Sequence, residues 1–147
     1  MNSSIKIKVA ELISFLLIFL FAYTGLSKLM TVMQFERTLR QSPLLSDVAS
    51  VVARLIPLTE LAIVVLLLIP RFKKLGTWCS LVLLSLFTIY IAYMIAFTPH
   101  LPCSCGGILK QLSWHHHLVF NVCLIALSAV SIRLTATTKM IDSIMSV

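Results

Sequence analysis

The chain has 147 residues, of which 59% are hydrophobic and 12% are charged, and its mean hydropathy is +1.02. In soluble domains roughly a quarter of all residues are charged, so this composition excludes an ordinary soluble domain. It predicts a membrane protein whose partner is the lipid bilayer. The formal net charge is +7, but the basic residues form no patch interleaved with aromatic residues, and we therefore expect no nucleic-acid partner.

Four apolar windows are each long enough to cross a bilayer, which requires about 20 mostly apolar residues. They cover residues 9–30, 47–69, 75–97 and 113–134. Because these windows use most of the chain, we expect residues 1–147 to form one all-α membrane domain, a polytopic bundle of four transmembrane helices. The first window is too long for the hydrophobic region of a signal peptide and lacks an A-x-A-like end, so we interpret it as a retained span.

The segment after the first span has the pattern of a short amphipathic helix. Phe35 and Leu39 are spaced one helical turn apart, and charged residues lie between and beside them. This pattern predicts a short helix that lies in the membrane interface. Ser42 and Pro43 then have the character of a helix start, with serine as the cap and proline in the first turn.

Lysine and arginine in the short connections predict the orientation. One side of the membrane receives most of them, namely Lys6, Lys8, Arg71, Lys73, Lys74, Arg133 and Lys139. Fewer fall on the other side, at Lys28, Arg37, Arg40 and Lys110. Since basic residues concentrate in cytoplasmic loops, we expect both termini in the cytoplasm and the loop of residues 98–112 on the outer side.

Glu60 is the polar residue in the spans that most needs an explanation. It lies near the bilayer midplane, about 20 Å from the outer end of the second span. An ionised carboxylate is costly there, so we expect it to be protonated, paired or facing a cavity, where it could handle protons or form a polar wall for a quinone headgroup. A hydrogen bond between helices is the structural alternative. Lys28 and Arg54 are expected to extend outward to the interface.

Two of the four cysteines lie within predicted spans. Cys79 is near the inner end of the third span, and Cys123 is about 15 Å below the outer end of the fourth. This separation in depth is too large for a disulfide. We therefore expect both to act as small buried hydrophobic residues.

Cys103 and Cys105 differ because they lie in the polar outer loop, on the oxidising side of the membrane, where thiols tend to form disulfides. A disulfide in a C-x-C sequence closes a very small, strained ring, and strained disulfides are labile or catalytic more often than structural. Gly106 and Gly107 allow the backbone angles that such a ring requires. The two cysteines are therefore the candidate catalytic pair.

A run of three histidines follows this loop. His117 lies one turn into the fourth span, where its imidazole could face the cysteines and favour the thiolate. Asn121 is one turn further on the same helical face and could orient His117 by a hydrogen bond. Trp114 is expected to anchor the helix at the interface, with His115 and His116 on a solvated or headgroup-facing edge.

Two other functions fit the same residues. Cys103, Cys105 and His117 could bind zinc or copper(I), because thiolates and imidazoles are ligands of both metals. A membrane scaffold or chaperone subunit would instead use the loop as a docking surface with a permanent disulfide.

Several stretches resemble the MauE family of membrane proteins, which is related to the DoxX-like four-helix group. They are GLSKL at 25–29, QSPLLS at 41–46, IPLTELAIVVLLLIP at 56–70, PCSCGGIL at 102–109 and LSWHHHLVFN at 112–121. The resemblance implies a redox-associated protein of the bacterial inner membrane with a periplasmic cysteine loop. It also implies a role in methylamine utilisation, supporting disulfide formation or maturation of periplasmic proteins together with a thioredoxin-like or disulfide-containing partner.

The four-helix plan is also similar to that of quinone-coupled oxidases of the vitamin K epoxide reductase class. The chain departs from that class because it has C-x-C in place of C-x-x-C and lacks a second cysteine pair on an outer loop. The resulting hypothesis is a thiol–disulfide oxidoreductase with quinone as a candidate cofactor.

Overall fold

The structure is a computed structural model that describes the backbone of residues 3–97 and 114–145 and the side chains of residues 4–97 and 116–135. The described chain contains five helices. They are α1 (Ser3–Met30), α2 (Val32–Arg40), α3 (Ala49–Leu68), α4 (Lys73–Phe97) and α5 (Trp114–Met145).

Four of these helices contain segments long and apolar enough to cross a membrane. The segments are Ser4–Met30, Ala49–Leu68, Lys73–Phe97 and His116–Thr135. The predicted all-helical fold with four spanning helices is therefore confirmed. Helix α1 begins six residues before the predicted span and α5 continues eleven residues beyond it. A helix can continue past the end of an apolar segment until a residue such as glycine or proline interrupts it. Neither extension contains glycine or proline, so nothing ends the helix there.

The long helices form a ring in which α1 and α4 each pack against α3 and α5. One half of this ring has a continuous apolar centre, which we call the closed half. It contains Ile13, Leu17, Phe21, Ile63, Leu67, Leu84 and Leu124. Ile13 lies in the first half of α1, and Ile63 and Leu67 lie in the last half of α3, as expected for helices that run in opposite directions. Leu17, Phe21, Leu84 and Leu124 lie nearer the middle of their spans.

Small residues allow the helices to approach closely in the closed half. A Cβ atom at Gly76 would lie 3.0 Å from the backbone nitrogen of Leu67, so α4 meets the backbone of α3 there. The Ser80 hydroxyl donates to the Gly76 carbonyl at 2.8 Å, and the Ser128 hydroxyl donates to the Leu124 carbonyl at 2.9 Å. Small side chains with internally satisfied hydroxyls are typical of helix contacts within membranes.

Helix α2 packs on the bundle through its apolar face. Phe35 and Leu39 are buried against Ala49 and Ala53 of α3, whose short side chains leave room for the phenyl ring. The predicted short helix after the first span is therefore present. Phe35 and Leu39 contact α3, so they form part of the protein interior, whereas Met33 of the same helix is exposed.

The two cysteines in the spans are free thiols. Cys79 is half-buried and packs against the closed half, which agrees with the expected hydrophobic role. Cys123 is exposed on the outer surface of α5, so the expectation that it is buried was wrong. Its neighbour in sequence, Leu124, takes the position that faces the core.

Candidate functional site: a cavity between the helices

A cavity of about 330 Å³ occupies the other half of the bundle, which we call the cavity half. All five helices contribute residues to its lining, and most of these residues are apolar. The polar or charged lining residues are Thr24, Lys28, Glu60, Tyr90, His117 and Asn121. Pockets that bind small molecules have this composition, with apolar walls and a few converging polar groups.

Helical spacing places Glu60 inside the bundle. The buried face of α3 includes Ala49, Ala53, Pro57 and Glu60, at intervals of four, four and three residues. Residues at this spacing share one face of a helix. The carboxylate therefore points inward with the alanines, and only 1% of the residue is exposed.

Lys28 of α1 pairs with Glu60, because its Nζ donates to Glu60 Oε1. The Lys28 side chain is 13% exposed, so the expectation that it extends outward to the interface was wrong. Gly25 explains the difference, since a Cβ atom there would lie 3.3 Å from the Cβ of Glu60. The missing side chain lets α1 and α3 come close enough for the pair to form. Arg54 is exposed, as expected.

Two aromatic rings flank the Lys28 ammonium. Nζ lies 5.8 Å from the ring centroid of Phe35 and 5.2 Å from that of Phe87. Both distances fall within the range of cation–π attraction. Sequence reasoning missed this role of Phe35 and Phe87. The amphipathic pattern of α2 was the available signal for Phe35, but that pattern predicted only a helix in the membrane interface.

Two buried polar atoms in the cavity half have no hydrogen-bond partner within the described part of the chain. They are Glu60 Oε2 and His117 Nδ1. Buried polar atoms are normally paired, so two orphan atoms on the wall of one cavity indicate positions where a ligand or water binds. The expected hydrogen bond from Asn121 to His117 is not formed at Nδ1, although Asn121 is buried and lines the same cavity.

The sequence prediction that Glu60 is paired or faces a cavity is met in both respects. His117, Asn121 and Glu60 line one cavity although Glu60 is distant in sequence from the other two. Lys28 lines the same cavity and pairs with Glu60. The structure thus assembles a polar cluster from α1, α3 and α5.

The predicted cysteine pair, Cys103 and Cys105, lies outside the described residues, as do Gly106 and Gly107. Helix α5 begins at Trp114, but the described side chains of α5 start two residues later. The roles of these residues remain predictions. Among the side chains that are described, no group of three or more His, Cys, Asp or Glu residues could hold a metal ion.

Comparison with known proteins places the chain in a family. No curated protein and no solved structure gives a significant match. The sequence model of one family, described as methylamine utilisation protein MauE, matches residues 6–134 and so includes nearly all of the four spans. The chain therefore belongs to the MauE family, and it is a multi-pass membrane protein of the kind associated with methylamine utilisation.

Proposed function

We infer that this protein is a thiol–disulfide oxidoreductase of the bacterial inner membrane. In this proposal both termini are cytoplasmic, and the loop of residues 98–112 exchanges disulfides with a periplasmic protein of thioredoxin-like or disulfide-containing type. The observation that carries the proposal is the cavity in the membrane bundle, with its buried orphan atoms at Glu60 and His117, at the end of the bundle that bears this loop.

The chemistry at the loop uses the two cysteines. A thiolate of the partner attacks the Cys103–Cys105 disulfide, and a mixed disulfide forms while the other cysteine leaves as a thiolate. The second partner thiolate then attacks the mixed disulfide. The partner leaves with a disulfide, and Cys103 and Cys105 remain as a dithiol that has gained two electrons and two protons.

The dithiol must be reoxidised for a second turnover, and a quinone is the acceptor that we assign to the cavity. When the dithiol becomes a disulfide again, two electrons and two protons pass to the quinone, which becomes a quinol. The Lys28–Glu60 pair and His117 would hold the polar headgroup, and the phenyl rings of Phe35 and Phe87 would border it.

The connectivity of the chain supports a link between loop and cavity. Ile91 lines the cavity six residues before α4 ends at Phe97, and His117 lines it three residues after α5 begins at Trp114. These separations correspond to about 9 Å and about 5 Å along the helices. Both ends of the cysteine loop are therefore attached close to the cavity half.

A redox titration of the cysteine pair tests the proposal. The protein carries Cys79→Ala and Cys123→Ala, so that Cys103 and Cys105 alone react, and free thiols are counted in native membranes by the mass shift on maleimide labelling. We expect a reversible two-electron transition between roughly −120 and −230 mV, the range of exchange-active proteins. The variant that also lacks Cys103 and Cys105 is the control for background labelling.

Three results contradict the proposal. Thiols that stay reduced across the whole range would exclude disulfide exchange, and thiols that react only after a chelator is added would indicate a zinc or copper site. A permanent disulfide that no exchange partner reduces would indicate the scaffold function. If the pair does cycle, Cys105→Ser should trap the partner as a mixed disulfide through Cys103, and the variant that retains both cysteines should not.

A further inference from the structure

The cavity has two exposed edges, and they lie at different depths. Among its described lining residues only Leu86 and Phe120 are exposed, at 57% and 37%. Phe120 is in the second turn of α5. Leu86 lies eleven residues before the end of α4 at Phe97, which corresponds to about 16 Å along the helix and places it at hydrocarbon depth.

The edge at Leu86 belongs to the seam between α3 and α4. Leu83, Leu86, Phe87 and Tyr90 line the cavity from α4 at intervals of three, one and three residues, so they share one stripe of the helix. Gly76 lies on the same side of α4 and contacts Leu67 of α3. The helices thus touch at Gly76 in the closed half, and in the cavity half residues of both helices line the cavity.

The lining facing this seam from α3 is also apolar. Val52 and Ile56 precede Glu60 at intervals of one helical turn, and all three line the cavity. A molecule that enters past Leu86 therefore meets mainly apolar side chains before it reaches the Lys28–Glu60 pair, with Tyr90 as the polar residue on the same stripe of α4. In a bilayer such an opening leads to lipid tails and not to water.

The interior end of this route fits a neutral headgroup. Lys28 and Glu60 carry opposite charges and contact each other, so the pair presents hydrogen-bonding atoms without a net charge. Glu60 Oε2 and His117 Nδ1 remain without partners among the described residues. A volume of about 330 Å³ is at the small end of the range for ligand pockets, so it holds a ring with short substituents but not a long tail as well.

We propose that the cavity takes a lipid-soluble molecule with a neutral, carbonyl-bearing ring, which enters sideways from the bilayer past Leu86 between α3 and α4 and leaves its apolar tail in the lipid. This proposal rests on the proposed function for the identity of the ring as a quinone, and it adds the entrance and the orientation. A protonated His117 Nδ1 would donate to a ring carbonyl, Glu60 Oε2 would accept from a ring hydroxyl once the quinone is reduced, and the tail exits at Leu86.

Photolabelling of the full-length protein in phosphatidylcholine nanodiscs tests the entrance. The probe is an azidobenzoquinone with a ten-carbon tail, and a tail-free azidobenzoquinone serves for comparison. Mass spectrometry measures the labelled fraction. Leu86→Trp fills the opening, and we expect labelling by the tailed probe to fall at least tenfold while labelling by the tail-free probe changes less than twofold.

Two control variants distinguish an effect at the opening from an effect elsewhere on α4 or at the headgroup. Ile89→Trp places the same side chain on the lipid-facing surface of α4, where Ile89 is 66% exposed and does not line the cavity, so both probes should label it like the unmodified protein. His117→Ala removes a headgroup contact, and labelling by both probes should fall by the same factor, up to about tenfold for one hydrogen bond.

Equal labelling of Leu86→Trp and Ile89→Trp by the tailed probe would overturn the lateral entrance. Loss of labelling upon addition of excess phosphatidylglycerol, but not upon addition of excess unlabelled quinone, would show that a lipid acyl chain occupies the cavity and would overturn the assignment of the ligand. Failure of the two proposals can be told apart. A cysteine pair that cycles without quinone labelling refutes this inference and the assignment of quinone as acceptor but leaves the thiol chemistry intact, whereas labelling without cycling refutes the thiol chemistry alone.

Discussion

The closed half and the cavity half are built from the same four spans, but they satisfy their polar groups in different ways. In the closed half the hydroxyls of Ser14, Ser80 and Ser128 donate to carbonyls four residues earlier in their own helices. In the cavity half Lys28 and Glu60 depend on each other across two helices. The closed half is thus stabilised by packing, whereas the cavity half depends on tertiary pairing and has spare polar atoms for a ligand.

Breaking the Lys28–Glu60 pair should cause the largest loss in the free energy of unfolding. Lys28→Met leaves a buried carboxylate without its cation, and removing one partner of a buried pair lowers the free energy of unfolding by about 3–5 kcal/mol. Unfolding by dodecyl sulfate in mixed micelles, followed by circular dichroism, measures this loss. The double variant Lys28→Met/Glu60→Leu should recover most of the stability, because no unpaired charge remains. A double variant as unstable as Lys28→Met would refute the importance of the pair.

Truncation of core residues should have the next largest effect on the free energy of unfolding, and the loss should differ between the closed half and the cavity half. Leu17 is fully buried in the closed half, so Leu17→Ala should lower the free energy of unfolding by about 2–5 kcal/mol. Ile91 is also buried but borders the cavity, so it has fewer neighbours to lose, and Ile91→Ala should lower it by about 1–2 kcal/mol. Both values come from the same denaturation assay. Equal losses would mean that the cavity is filled by side chains in the native protein.

Alanine at the two helix-contact glycines should have a smaller but unequal effect. In a helix, alanine is about 1 kcal/mol more favourable than glycine, and this gain opposes any crowding. At Gly76 the added methyl group meets backbone of α3 at 3.0 Å, so we expect a net loss of about 1–2 kcal/mol. At Gly25 the nearest atoms are side-chain carbons of Leu61 and Glu60 at 3.2–3.3 Å. A shift of a few tenths of an ångström accommodates the methyl group without breaking the Lys28–Glu60 pair, so the net change should be close to zero. The midpoints of thermal unfolding rank these variants, and Gly25→Ala falling below Gly76→Ala would contradict the packing described for the closed half.

The smallest effect is expected on the surface of α2. Arg40 Nη2 lies 2.8 Å from Glu36 Oε1, but the Arg40 side chain is 59% exposed. Exposed pairs at this spacing contribute about 0.3–0.5 kcal/mol, so Glu36→Gln should change the free energy of unfolding by no more than that. The comparison with Lys28→Met uses the same assay and shows how far burial raises the importance of an ion pair. A large loss in Glu36→Gln would indicate that α2 depends on this contact to stay docked on α3.

Much of the fold could be predicted from the sequence, because a bilayer imposes strong constraints. A span must be about 20 apolar residues long. The windows at 9–30, 47–69, 75–97 and 113–134 therefore agree with the four spanning segments to within about five residues at each end. Glu60 could be recognised as special for the same reason, since a carboxylate within a span needs a partner or a cavity.

The composition of the chain therefore determined that it is a helical membrane protein, and the motifs at Cys103, Cys105 and His117 determined which family it resembles. Only the tertiary structure decided that Lys28 turns inward to Glu60, that Phe35 of α2 borders the same cavity and that His117 Nδ1 has no partner there among the described residues. The physical reason is that hydropathy along the chain reports how deep a residue lies in the bilayer. Which neighbouring helix it faces depends on close contacts such as the one at Gly25, and these form only when the helices pack.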